Sequence, residues 1–420
     1  MEDFYLILVS MGYGHQRTGF PLKKFAFQTL NANDYEGIPK RDKEIWKSTK
    51  SFYETISRMK NFPLLGNFLF WAFDRLQKIP QFYPKRDLSQ PTLSLKTTYS
   101  LFKKNWMRHL FQKLSQKPLP VISTFFTPAF ALEFFGYQEE IFLVVCDADV
   151  SRSWAPLFPQ KSKIKYFVPT KEVKERLKMY GVKEENIFFT GYPLPLESEE
   201  DLKAALKVRL LNLDPFKNYF SKYQKIIENT LGPLPPASFR PLTLLFSVGG
   251  AGAQKEIGFQ ILRSLREKIL QQKIKIVLSC GIRQEVKNYF LEAIEKLNLA
   301  SCLNKSLEIL FEESVDDYFE KFNQTLKNVD ILWTKPSELS FYSALGIPII
   351  VAPPIGSQEE FNLNYLVKSG FGIFQENPKY THQWLFDWLE KGYLAECAME
   401  GFLEGERNGT EKILKIVSRS

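Results

Sequence analysis

Leu242-Thr-Leu-Leu-Phe-Ser-Val-Gly-Gly-Ala-Gly252, continuing through Ala253 into the stretch Gln254–Gln271, decides how this chain is read. Leu242–Val248 is a short, nearly continuous apolar run, the pattern of a strand buried on both faces of a parallel sheet. Three glycines in four positions then make a tight turn that opens a helix. Glycine lets backbone N–H groups approach an anion, and a helix N-terminus favours negative charge, so Gly249, Gly250 and Gly252 are candidates for binding a phosphate. Their spacing is neither that of a Walker A loop nor Gly-x-Gly-x-x-Gly, which argues against ATP and NAD. A strand-to-helix turn without a ligand would use the same glycines.

On both sides of this unit, short apolar runs alternate with amphipathic stretches. Strands are expected at Phe4–Ser10, Val121–Thr124, Phe142–Asp147, Tyr166–Pro169 and Ile187–Thr190. A second set follows at Leu242–Val248, Ile274–Ser279, Leu307–Phe311, Ile331–Thr334 and Pro348–Ala352. Helices are expected at Lys171–Tyr180, Gln254–Gln271 and Glu285–Leu297. This alternation predicts an α/β fold with two doubly wound, Rossmann-like domains. Glu197–Arg240 separates the sets and closes on the Pro-rich Leu231-Gly-Pro-Leu-Pro-Pro-Ala-Ser-Phe-Arg240, a boundary signal. The expected organisation is a first domain over 1–198, a helical linker over 199–240, a second domain over 241–384 and C-terminal helices over 385–420. Both halves begin alike: Ser10-Met-Gly-Tyr-Gly14 ends the first strand of one, and Ser247–Gly252 ends that of the other. In such sheets, ligands bind beyond the carboxyl ends of the strands.

Composition narrows the class. The chain has 420 residues, a length for two domains, with 44% hydrophobic and 25% charged residues. A formal net charge of +9 admits anionic partners, including an anionic membrane surface. No nucleic-acid-binding motif accompanies it, so nucleic acid is not an expected partner. Four cysteines stand singly, which suits a reducing compartment and offers no Cys-x-x-Cys zinc site. No basic leader precedes the first strand, so a cytoplasmic location is expected. The longest apolar run, Phe62 to Phe73, is shorter than the ~20 residues of a membrane span. Asn61–Arg75 is apolar and aromatic with basic flanks, fitting either a buried helix or a headgroup interface. The 37 Phe fit extra core aromatics or an acceptor-facing surface.

Other residues could carry chemistry. In Gly12-Tyr13-Gly14-His15, the histidine follows the first strand and could take a proton from a hydroxyl, its ordinary pKa of ~6.5 lying near operating pH. A positioning role would also fit. His109 and His382 read as structural or surface residues. In Trp333-Thr-Lys-Pro-Ser-Glu-Leu-Ser340, Lys335 could face a diphosphate and Glu338 a ribose diol. Ser337 could equally cap the helix, with Glu338 complementing its dipole. In Gly356-Ser-Gln-Glu-Glu-Phe-Asn362, Gln358, Glu359 and Asn362 offer closely spaced partners for sugar hydroxyls. Asp147 and Asp149 form an Asp-x-Asp at a strand end, a pattern that can hold a divalent cation. A structural or acceptor-side role is preferred, and no metal site is assigned.

Taken together, these motifs resemble the metal-independent GT-B glycosyltransferases related to the peptidoglycan N-acetylglucosaminyltransferase and the monogalactosyldiacylglycerol synthase. Lys165–Leu177, Tyr180–Ile187 and Thr190-Gly-Tyr-Pro193 are similar to the end of that family's first domain. Gly346-Ile-Pro348 through Asn362 is similar to its donor-sugar loop, and Gly409-Thr-Glu-Lys-Ile413 to its closing helix. The resemblance implies two Rossmann-like domains facing a cleft, with the C-terminal helix crossing back to the first. It implies a uridine diphosphate sugar as donor, Gln358 and Glu359 as sugar contacts, His15 on the base side, inversion at the anomeric carbon, and no cofactor. A hydroxyl acceptor on a lipid, and a peripheral position at the membrane, follow from the same likeness. Gly12, Gly14, Asp147 and Asp149 would lie on the acceptor side. Two positions depart from the family pattern: Tyr13 separates glycines that are usually adjacent, and Phe341 stands where the family has its ribose-binding Glu, three residues after Glu338. A nucleotide-sugar 2-epimerase and a non-catalytic nucleotide-sugar binder share the two-domain plan and are the alternatives.

Overall fold

The computed structural model describes residues 4–48, 79–250 and 252–419. The apolar run Phe62–Phe73 and the surrounding Asn61–Arg75 lie outside them. The chain divides into two compact units. One holds Met1–Leu194, Gly356–Phe361 and Glu406–Ser420, and the other holds Pro195–Ile355 and Asn362–Gly405.

The first unit is built on a parallel sheet of β1 (Tyr5–Leu8), β2 (Gln28–Asn31), β3 (Val121–Ser123), β4 (Ile141–Val144), β5 (Lys165–Val168) and β6 (Ile187–Phe189). Their order is β2-β1-β3-β4-β5-β6. Every residue of β1, β3 and β4 is buried, as continuous apolar runs require when helices cover both faces. Phe142 and Phe167 stack at 5.1 Å across neighbouring strands within a core that also holds Leu6, Leu8 and Ile122. Each such side chain contributes about 1.5–3 kcal/mol on burial. The C-terminal helix Gly409–Val417 completes this core through Ile413 and Val417. Gly409 packs so tightly there that a Cβ would fall 2.1 Å from the Tyr192 carbonyl oxygen. Thr410 Oγ1 donates to the Leu194 carbonyl at 2.6 Å.

The second unit is a parallel sheet of β7 (Leu242–Ser247), β8 (Ile274–Gly281), β9 (Leu307–Phe311), β10 (Ile331–Thr334), β11 (Ile349–Val351) and β12 (Gly372–Phe374). The order β12-β11-β10-β7-β8-β9 is that of a doubly wound Rossmann sheet, with strand order reversing between β7 and β10. All six residues of β7 are buried.

Several sequence expectations are corrected. β2 and β12 were not foreseen: Gln28-Thr-Leu-Asn31 is polar, and Gly372–Phe374 is only three residues long. Both are outer strands with a single buried residue, so neither presents the apolar run by which the other two outer strands, β6 and β9, are legible. The expected helix Gln254–Gln271 is two helices, Lys255–Ser264 and Arg266–Leu270, broken at Leu265 with φ −97° and ψ 6°. The segment 199–240 groups with the second unit and is not a separate linker. Its helix Glu199–Leu213 is anchored by Arg209, which is fully buried. The Arg209 guanidinium donates to the carbonyls of Val329 at 2.8 Å and Gly346 at 2.9 Å. Residues 385–405 also belong to the second unit.

Candidate functional site

In the first unit, strand order reverses between β1 and β3, with β2 on one side of β1 and β3, β4 and β5 on the other. The backbone beyond β1, β3 and β4 supplies the candidate residues. Gly12 has φ 124°, a conformation L side chains rarely adopt, and starts the short helix Tyr13–Gly19 that carries His15. Gly19 lets that helix lie on β1, since a Cβ there would meet the Leu8 side chain at 2.2 Å. Thr18 Oγ1 donates to the Gly14 carbonyl at 2.7 Å.

His15 is half-buried. Its Nδ1 lies 2.9 Å from the carbonyl oxygen of Thr124, just past β3. A carbonyl only accepts, so Nδ1 carries the proton and Nε2 of the neutral ring keeps its lone pair. The Phe125 ring meets the imidazole edge-on at 4.8 Å, and Trp154 lies at 6.2 Å. Cys146 Sγ, past β4, is 3.4 Å from Nδ1 and also approaches Asp147 Oδ2 at 3.7 Å. Burial pushes the His15 pKa down to about 4, with the Thr124 hydrogen bond opposing in part. The ring is therefore a neutral acceptor at pH 7, but a weaker base than the sequence expectation of an ordinary pKa near operating pH implied. The abundant aromatics gather nearby: Phe125, Phe126 and Trp154 contact one another, and Trp46 and Trp106 extend the group.

The two aspartates have different surroundings. Asp147 adjoins the Cys146–His15 pair, whereas Asp149 is buried and gripped by Arg176, with Nε to Oδ1 at 3.0 Å and Nη2 to Oδ2 at 2.8 Å. Val150 N–H also donates to Asp149 Oδ1 at 2.8 Å. With its oxygens so engaged, Asp149 ties the loop after β4 to the helix Lys171–Met179. Among the described residues, no group of three or more His, Cys, Asp or Glu side chains converges as metal ligands do.

In the second unit, the glycine turn lies at the β7/β10 reversal. Ser247 pairs with Thr334, so the carboxyl ends of both strands are level. The turn is closed by Gly252 N–H donating to the Gly249 carbonyl at 2.7 Å, with Gly252 at φ 73°. Lys335 lies across Gly249: a Cβ there would stand 2.5 Å from Lys335 Cε. Gln254 bridges the end of this turn to the Pro353 carbonyl at 2.7 Å. Beyond Lys335, the helix expected to begin near Ser337 is a 3₁₀ helix, Glu338–Leu345. Ser337 occupies its N-cap without a side-chain capping bond, and Glu338 is buried. Phe341 is buried and packs on Tyr365 at 5.5 Å, a core role in place of a ribose contact. Gln358, Glu359 and Asn362 fall on the helix Ser357–Lys368. Gln358 and Glu359 are half-buried and belong to the first unit by contact, whereas Asn362 is buried and belongs to the second.

The structure thus brings Gly249, Gly252 and Lys335 together, and His15 with Asp147 through Cys146. Sequence reasoning missed Thr124, Phe125, Cys146 and Trp154 around His15, and Arg283 at the glycine turn. Arg283 follows β8, Thr124 is the last residue of the expected strand Val121–Thr124, and Phe125 follows it, so each lies at or just past a strand that the apolar runs had already identified. His109 and His382 have structural partners, the hydroxyls of Tyr35 and Ser264, each at 2.9 Å.

A family described as a domain of unknown function, DUF6938, matches residues 237–372. The processive diacylglycerol beta-glucosyltransferase of Staphylococcus epidermidis (strain ATCC 12228 / FDA PCI 1200) is 24% identical over 312 residues, covering 73% of this chain and 68% of the relative. The UDP-GlcNAc 2-epimerase from Neisseria meningitidis, solved bound to UDP-GlcNAc, superposes with a TM-score of 0.50 at 11% identity over 99% of this chain and all of that one. The MurG of Acinetobacter baumannii covers both chains fully with a TM-score of 0.48 and 13% identity. Two doubly wound parallel sheets, each with a candidate site where its strand order reverses, define a two-domain α/β protein of the GT-B fold. The chain is a divergent relative of the GT-B glycosyltransferases, with detectable sequence similarity to the diacylglycerol glucosyltransferases.

Proposed function

We propose that this protein transfers a sugar from a uridine diphosphate sugar to the hydroxyl of a lipid acceptor, without a metal. The observation that carries the reading is the placement of a neutral imidazole in one unit and a glycine turn crossed by a lysine in the other, each at a point of strand reversal. In the proposed reaction the acceptor oxygen attacks the anomeric carbon, forming the new glycosidic bond. The bond from that carbon to the diphosphate oxygen breaks, and the acceptor proton passes to Nε2 of His15. The negative charge developing on the departing diphosphate is met by the backbone N–H groups of the turn, the start of the helix Lys255–Ser264 and Lys335. Glu338, Gln358, Glu359 and Asn362 are proposed donor contacts. Gly12, Gly14 and Asp147 are proposed for the acceptor side.

The named relative supports a diacylglycerol-type acceptor. The aromatic group around Phe125 and Trp154 supports the same chemistry, since it offers apolar surface beside the base. Among the described residues no helix is long and apolar enough to cross a membrane. We therefore propose contact with the cytoplasmic face of an anionic membrane surface, aided by the net positive charge.

The test is an assay with UDP-glucose, UDP-galactose and UDP-N-acetylglucosamine, each with and without diacylglycerol in mixed micelles. Formation of a glycolipid with matching release of UDP is the expected outcome. Interconversion of sugar epimers without acceptor would establish the epimerase alternative instead. Tight nucleotide-sugar binding with no turnover on any acceptor would point to the non-catalytic binder.

A further inference from the structure

We infer that Arg283 is a binding residue of the diphosphate turn, one that orients the turn by gripping the Gly250 carbonyl and presents its cation to the phosphates. The inference rests on reading the Gly249–Gly252 turn as the diphosphate site.

Arg283 stands two residues beyond the end of β8, the strand next to β7. Gly281, at φ 65°, ends β8 at an irregularity in the pairing with β9, and Arg283 N–H then bonds back to the Cys280 carbonyl. This sharp exit carries the Arg283 side chain toward the neighbouring turn. Its Nε donates to the carbonyl oxygen of Gly250. Its Cδ would lie 3.4 Å from a Cβ at Gly252, so the stem covers that glycine as Lys335 covers Gly249. Glu285 Oε1 accepts from Nη1 at 3.1 Å and fixes the plane of the guanidinium.

Two consequences follow from elementary electrostatics. A carbonyl oxygen at the mouth of an anion-binding turn repels phosphate. Holding the Gly250 oxygen on a cation removes that repulsion and orients the turn. A guanidinium also has five N–H donors in one plane, of which the contacts to Gly250 and Glu285 engage two. The others suit phosphate oxygens, which a planar fork recognises better than an ammonium does. Arg283 and Lys335 together would place two cations on the leaving group.

The experiment is calorimetric titration of the full chain and of Arg283→Ala and Arg283→Lys with UDP, uridine and inorganic pyrophosphate. Arg283→Ala is expected to weaken UDP and pyrophosphate at least tenfold and to leave uridine unchanged. Arg283→Lys is expected to recover less than half of that loss on a logarithmic scale, because a single ammonium nitrogen lacks the planar fork that spans the carbonyl and the phosphates. Equal weakening of UDP and uridine, unchanged UDP binding, or full recovery by lysine would overturn the inference. If Arg283→Ala does not fold, Arg283→Lys decides alone: a loss confined to the phosphate-bearing ligands supports it, and no loss overturns it. Wild-type protein that binds pyrophosphate but not UDP overturns the proposed donor, while the variants still test Arg283 on pyrophosphate. Wild-type protein that binds neither overturns both.

Discussion

Nδ1 of His15 and the carbonyl oxygen of Thr124 lie 2.9 Å apart although 109 positions separate the residues, so the backbone past β3 sets the tautomer of a side chain past β1. With burial holding its pKa at about 4, His15 stays neutral through the physiological range. The acid limb of the kcat/KM profile, which reports the free enzyme, should therefore fall near pH 4, not near 6.5. His15→Ala should lower turnover by roughly 10²–10⁴-fold, with UDP affinity unchanged. A pH–rate profile and a single-variant assay check both statements.

The same shift makes stability depend on pH. The folded pKa lies below the unfolded value of 6.5, so the unfolded chain binds more protons between them. This contribution is full above about pH 6.5 and is lost as pH falls toward 4, with a ceiling of about 3 kcal/mol because the ring is partly open to solvent. In urea titrations at several pH values, His15→Gln should flatten this part of the curve relative to the wild type.

Gly249→Ala should separate binding from folding. The new Cβ would stand 2.5 Å from Lys335 Cε, but the lysine stem is flexible and can swing aside. Thermal melting should move by only a few degrees, whereas affinity for UDP should drop about tenfold, equivalent to about 1.4 kcal/mol. Uridine, without phosphates, should bind as before.

Asp149→Ala should act on stability. It would leave Arg176 buried without its carboxylate, at a cost of about 3–5 kcal/mol, seen as a lower denaturation midpoint. Chelator should leave wild-type turnover unchanged. Activity lost to chelator and restored by Mn²⁺ would assign the reaction to metal-dependent chemistry instead.

Gly409→Val should loosen the C-terminal helix. The backbone oxygen of Tyr192 leaves no room for a Cβ, and displacing the helix would expose Ile413 and Val417. A loss of about 3 kcal/mol or more is expected in chemical denaturation, with uridine affinity retained by any fraction that stays folded.

Strands such as Leu242–Ser247 and Ile141–Val144 were legible because burial on both faces demands an unbroken apolar run, a property of neighbouring residues. The glycine turn and His15 were legible for a similar reason: each follows a strand within a few positions, where ligands of such sheets gather. β2 and β12 were not, because Gln28–Asn31 is mostly polar and Gly372–Phe374 is three residues opening on glycine, so each buries one residue and shows no apolar run. Local sequence determined the strands, the tight turns and the residue types at the strand ends. The order of strands in each sheet was decided only by tertiary packing, and that order brings Lys335 over Gly249, Arg283 onto Gly250 and Thr124 against His15. It also joins Asp149 to Arg176, 27 positions away, and so gives a carboxylate that looked able to serve a ligand a structural ion pair. Periodicity is set within a few residues of chain, whereas these contacts join segments that meet only when the sheets assemble, and no local pattern encodes which strands become neighbours.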